Sequence, residues 1–150
     1  GGLGVALVAD FRVTCAEAKF SANFNRLGFH PGFGLSATLP RLVGVQKAAM
    51  LFYTGRRIGG EEAHAIGLAD LLVPQDQVRL GAAKLAREIA ISAPLAVQST
   101  RDTLRQGLVE QIRVAVARES AEQNAQFKTA DFREGVAAMA ARREPAFKGE

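Results

Sequence analysis

Beyond Pro74 the apolar residues recur at helical spacing, and this regularity constrains the fold more than any other feature of the chain. Val78, Ala82, Leu85, Ala86 and Ile89 fall on one face of an amphipathic helix predicted over 75–91. Pro94 opens a second helix through Gln106, because a missing N–H is harmless in a first turn. Val109, Ile112, Val116, Ser120, Gln123 and Phe127 trace a third stripe that turns polar toward its end. Asp131 as N-cap, with Glu134 at capping-box spacing, predicts a last helix to about Arg143.

Before Pro74 the chain is mixed and glycine-punctuated. Gly1-Gly2-Leu3-Gly4 runs into the apolar residues 4–9, which fit a buried strand or the start of a buried helix equally well. Residues 11–14 read as a short strand, and 18–21 continue in an extended style. The segment "NFNRLGFHPGFGL" (23–35) carries three glycines and Pro31, the marks of turns and special backbone angles. A helix from Ser36 to Gly44, interrupted by Pro40, precedes a helix over 45–54 stopped by Gly55. Residues 61–66 form a short helix and 69–73 a strand closed by Pro74. So few short strands cannot make a stable sheet unaided. The expectation is therefore the back part of a larger domain, with residues 1–74 belonging to its core and 75–150 to a helical region.

Hydrophobic residues make up 48% and charged residues 23%, which excludes a disordered chain. No apolar run approaches the roughly 18 residues of a membrane span. Cys15 is alone, so no internal disulfide forms and a reducing, cytoplasmic setting is expected. Two histidines and one cysteine, widely spaced, make no metal-ligand pattern. The net charge of +4 would suit nucleic acid or a small phosphate-bearing ligand. Aromatic residues are not interleaved with Arg56-Arg57 or Arg142-Arg143, as base stacking requires, so nucleic acid is the poorer fit.

Five pieces in one order carry a resemblance: "GG-G-ALVAD", "A-AKF", "LGFHPGFGLSATLPRLVG", "LFYTGRRIGGEEAHAIGLADLLVP" and "DFREGVAAMAARREPAFKG". Together, over Gly1 to Gly149, the chain resembles the crotonase family of enoyl-CoA hydratases and isomerases. The resemblance implies an α/β fold, the C-terminal part of a crotonase-like ββα spiral core, followed by a helical trimerisation region. It implies an acyl-CoA substrate whose coenzyme A is part of the substrate, no separate cofactor, and a homotrimer or hexamer. No membrane partner is expected.

The same resemblance places an oxyanion-hole N–H at Gly1, with Gly2 adjacent in the substrate site. Charge developing on a thioester oxygen needs such preorganised donors, and a helix N-terminus adds its partial positive charge. The second donor is expected from residues outside this chain. Hydratases of the family hold a water between two glutamates, and the match puts Gly4 and Phe24 in those places. An aspartate used by dienoyl isomerases falls at Gly32. With these acid sites empty, the two-glutamate hydration mechanism does not carry over.

Among the remaining polar groups, His30 is the candidate to move a proton, because a histidine side chain can both accept and donate one; packing against backbone is its competing role. Asn23 and Asn25 flank Phe24 and could orient substrate or water; turn formation is the alternative. Ser36 and Thr38 are expected to shape the following helix, and Asp10 to be structural. Phe24 either lowers the polarity of the pocket or packs in the core. In the tail, Arg142, Arg143, Phe147 and above all Lys148 resemble a segment that approaches coenzyme A. Two functions follow: an acyl-CoA thioester enzyme of altered proton chemistry, or a non-catalytic acyl-CoA-binding or assembly subunit of the same fold.

Overall fold

The leading glycines enter a helix at once. A computed structural model describes all 150 residues, and in it α1 (Gly2–Ala6) settles the open reading of residues 4–9 as the start of a helix. β1 (Val13–Thr14) and β2 (Lys19–Ser21) are shorter than the extended runs around them. A 3-10 turn at Asn25–Leu27 leads into the glycine-rich loop. α2 (Leu35–Val43) then runs through Pro40 rather than breaking there, because its buried face continues past it. That face is Leu35, Leu39 and Val43, residues four apart that stack along one side of a helix. α3 (Val45–Thr54) buries Ala48, Leu51 and Phe52 and ends at Gly55.

β3 (Arg57–Gly59) is an element with no local signature, since three residues are too few to show alternation. Its partner fixes it: β2 and β3 pair antiparallel, with Phe20 opposite Ile58. α4 (Gly60–Ala65) and β4 (Leu71–Leu72) follow, and β4 pairs parallel with β1, Val13 opposite Leu71. Neither two-stranded sheet would hold alone. The β2–β3 pair leans on an apolar core in which Leu7, Ala22, Leu39, Leu51, Ile58 and Leu68 meet, while β1 packs against the helix that opens at Val78 and β4 against α4.

After a 3-10 turn at Gln75–Gln77 come α5 (Val78–Ala90), α6 (Pro94–Leu104), α7 (Leu108–Gln126) and α8 (Ala130–Ala140). α5 and α6 bury no residue fully. α6 is tethered through Asp10, whose carboxylate lies 2.9 Å from Arg101 Nε and 2.7 Å from Arg105 Nη2. Ile91, Leu95, Leu104 and Val109 are largely exposed along this helical half. No helix is long and apolar enough to cross a membrane.

Two expectations for the helical half change. Of the stripe expected on α7, Val109 and Ser120 face outward, whereas Ile112 and Val116 lie against Gly34, and Gln123 and Phe127 border the loop; the fully buried residues of α7 are Leu108 and Glu119. Asp131 is not the N-cap of α8; Thr129 is, its hydroxyl accepting the Phe132 N–H at 3.0 Å. Asp131 and Glu134, one helical turn apart, face the C-terminal tail instead. The tail reverses at Arg142, whose φ is 54°, and delivers backbone N–H groups to both carboxylates. Asp131 accepts from Lys148 and Gly149, each at 2.8 Å, and Glu134 accepts from Ala146 at 2.8 Å. The Arg143 guanidinium hydrogen-bonded to Glu134, helped by the Ala146 N–H, holds that carboxyl down to about 2.

Candidate functional site

The first turn of a helix leaves its N–H groups without intrahelical partners. In α1 that turn is glycine-rich, and Gly1, Gly2 and Gly4 border a cleft of about 630 Å³. Aromatic rings supply much of the lining: Phe20, Phe24, Phe29, Phe33 and Phe127. Polar groups reach it from Lys19, Ser21, Asn23 and Gln123. No carboxylate or imidazole is part of the lining, and Lys19 is its one charged side chain. Such a cleft accepts an apolar body and offers directed donors at one end.

Neighbouring side chains fill the space beside Gly4 and Gly32. Gly4 is buried, and a Cβ there would stand 2.7 Å from the Cβ of Phe33. A Cβ on Gly32 would stand 2.6 Å from the amide nitrogen of Gln123. Contacts this close exclude any side chain without a shift of the neighbour. Phe24 lines the cleft and also packs against the core. Its ring meets Phe29 edge-on at 5.6 Å, and Phe29 meets Phe127 at 5.0 Å, the preferred geometry of aromatic pairs.

The other sequence-derived candidates stand elsewhere. His30 does not line the cleft. Its Nδ1 lies 2.8 Å from the Pro31 carbonyl oxygen, and its backbone is held on both sides by α7. Asn25 and His30 border a separate hollow of about 370 Å³ with Gln126, Asp131 and Phe147. Lys148 projects into solvent, its backbone fastened to Asp131, and it lines neither space. Asn23 does line the cleft, with its amide 3.9 Å from the Met139 sulfur. Thr38 donates to the Gly34 carbonyl at 3.0 Å, a helix-start contact as expected.

The sequence reading placed Gln123 on the α7 stripe but missed Glu119 and Gln126, which shape the loop beside it. Glu119 is 2% exposed and accepts the Gly34 N–H at 2.7 Å, the Ser36 N–H at 2.9 Å and the Ser36 hydroxyl at 2.6 Å. Its carboxylate thus caps the N-terminus of α2 from another helix, where negative charge is favoured. Gln123 donates to the His30 carbonyl at 2.8 Å, and Gln126 accepts the His30 N–H at 2.6 Å. The spacing Glu119, Gln123, Gln126 is a helical face, a signal hidden because its residues are polar.

Residues 1–150 match the family model for enoyl-CoA hydratase/isomerase. A short-chain-enoyl-CoA hydratase of Clostridioides difficile is 37% identical over 91% of this chain and 88% of its own length. Enoyl-CoA hydratase domain-containing protein 2 of Homo sapiens, a mitochondrial protein, is 36% identical over all of this chain and 53% of its own. The crystal structure of an enoyl-CoA hydratase/isomerase from Pseudoalteromonas atlantica superposes with a TM-score of 0.87 at 30% identity, over 98% of this chain and 59% of that one. The chain therefore spans little more than half of the latter two proteins, and it has their α/β, crotonase-like fold.

Proposed function

This chain belongs to the enoyl-CoA hydratase/isomerase family, and we propose that it forms the acyl-binding side of an enzyme that processes acyl-CoA thioesters. The observation that carries the reading is the glycine turn of α1 opening onto an apolar cleft. A thioester carbonyl set against that turn would place its developing negative charge beside the backbone N–H of Gly1, with Gly2 lining the site. A second donor would come from residues outside 1–150. One donor of such a pair is worth about 2.7–4 kcal/mol in the transition state.

Gly4 and Phe24, standing where the family's two glutamates would be, leave no pair of carboxylates to hold a water. The reaction is thus enolate stabilisation, with the proton moved by a group this cleft does not itself contain. Phe24 lowers the polarity around the acyl group, which strengthens the donor contacts. Coenzyme A arrives as part of the substrate and needs no separate cofactor. Lys148 and Phe147 would meet its nucleotide end in the assembled protein. The exposed Ile91, Leu95, Leu104 and Val109 support residues 75–150 as the oligomerisation region of a homotrimer or hexamer, with residues 1–74 in the core. The lone Cys15 is compatible with the cytoplasm.

The test is turnover by the full-length protein on a panel of enoyl-CoA thioesters. Gly1→Pro, which removes the N–H, is expected to lower kcat by about 10²–10³ while thioester binding persists. His30→Ala is expected to leave kcat unchanged, since the ring stands outside the cleft. Unchanged turnover in Gly1→Pro would overturn the oxyanion assignment. The absence of carboxylates from the cleft favours one second reading, a non-catalytic acyl-CoA binder or assembly subunit. Tight thioester binding without turnover across the panel would select it.

A further inference from the structure

Phe33 combines a bulky side chain with left-handed backbone, its φ being 62°. L-residues resist that conformation because Cβ crowds the following carbonyl. Burial does not offset the strain, for Phe33 is 62% exposed. Backbone strain kept at the edge of a cleft is a pointer to function.

The strained residue is bracketed by fixed backbone. On its N-terminal side, Gln123 and Gln126 grip the carbonyl and N–H of His30. On its C-terminal side, Glu119 grips the N–H groups of Gly34 and Ser36. The ring lies along the first turn of α1. Its inner end fills the space over Gly4, and its Cζ would stand 3.7 Å from a Cβ on Gly1. An acyl group whose carbonyl sat at Gly1 would therefore meet this ring at the atoms nearest the thioester carbon.

We propose that Phe33 is the specificity wall of the cleft, a rigid aromatic face that admits straight acyl groups and excludes branching next to the thioester carbon. The proposal rests on the acyl-thioester reading above. Its test measures binding of butyryl-CoA and 2-methylbutyryl-CoA to the full-length protein by calorimetry, in wild type, Phe33→Ala and Phe33→Gly. Wild type is expected to prefer the straight chain. Both variants should reduce that preference at least about tenfold, the scale of a methyl-sized change in an apolar pocket. Phe33→Gly, which also relieves the left-handed strain, should melt higher than Phe33→Ala. Equal loss of selectivity in the two assigns the effect to the ring rather than to the strain. A wild-type protein that binds both thioesters alike, or variants that keep its preference, overturns the wall alone. Failure of wild type to bind either thioester overturns the wall together with the reading beneath it.

Discussion

Replacing Glu119 tests how firmly α7 holds the start of α2. The carboxylate accepts three hydrogen bonds, two from the backbone of Gly34 and Ser36 and one from the Ser36 hydroxyl. Glu119→Ala strips all three donors of their partner. The hydroxyl can turn elsewhere, but the two N–H groups cannot, and each buried donor left unpaired costs about 1–3 kcal/mol. Loss of the negative charge at the N-terminus of α2 adds about 0.3–1 kcal/mol. The expected destabilisation is about 2–7 kcal/mol, a large share of an ordinary domain's stability of about 5–15 kcal/mol. Glu119→Gln keeps the volume and an oxygen for Ser36, yet turns an amide N–H₂ toward the Gly34 N–H; with that donor unpaired it should cost about 1–3 kcal/mol. Glu122, on the same helix, pairs with exposed Arg118 at 2.6 Å, and Glu122→Ala should stay within about 1 kcal/mol of wild type. Urea unfolding of the full-length protein followed by circular dichroism gives all three values from the midpoints at constant slope. Glu119→Ala no more costly than Glu122→Ala would refute the capping argument.

Gly135→Ala pushes a Cβ to 2.5 Å from the Leu27 carbonyl carbon, and this overpacking of α8 against the 3-10 turn should cost about 1–3 kcal/mol in thermal unfolding. Glu134 has its carboxyl held down to about 2, against an ordinary value of 4.5. For such a depressed acid, the contribution to tail docking is complete above 4.5 and fades as pH falls toward about 2. The Ala146 amide should thus remain protected from hydrogen exchange at pH 5, and Glu134→Gln should remove that protection at neutral pH. Burial raises the Asp10 carboxyl, but hydrogen bonds and charge from Arg101 and Arg105 outweigh it and leave the group below its ordinary value. Asp10→Asn should loosen α6, read as faster proteolysis between residues 91 and 107, with a stability change of at most about 1 kcal/mol.

α5 and α7 were legible in the sequence because a 3.6-residue period belongs to the local chain, and α6 because Pro94 marks its first turn. So was the end of α3 at Gly55, set by a residue within reach of the helix itself. Gly1 and Phe24 were singled out only through the family resemblance, since neither a glycine-rich turn nor one phenylalanine marks a site by residue type. Tertiary structure decided the rest. β3 exists because β2 lies beside it, and three residues cannot announce a partner located elsewhere. Asp131 and Glu134 have capping-box spacing, yet the returning tail offers them nearer N–H groups, while Thr129 takes the cap. Glu119 reads as one more solvated charge on a polar helix, and it becomes the buried cap of α2 through a contact spanning 85 residues. For His30 the sequence left proton transfer and packing against backbone both open, and the fold leaves it outside the cleft with its backbone held by α7. Periodicity and turn chemistry are carried by neighbours along the chain, whereas the partner of a buried polar group is chosen by whichever donor the completed fold brings within three ångströms.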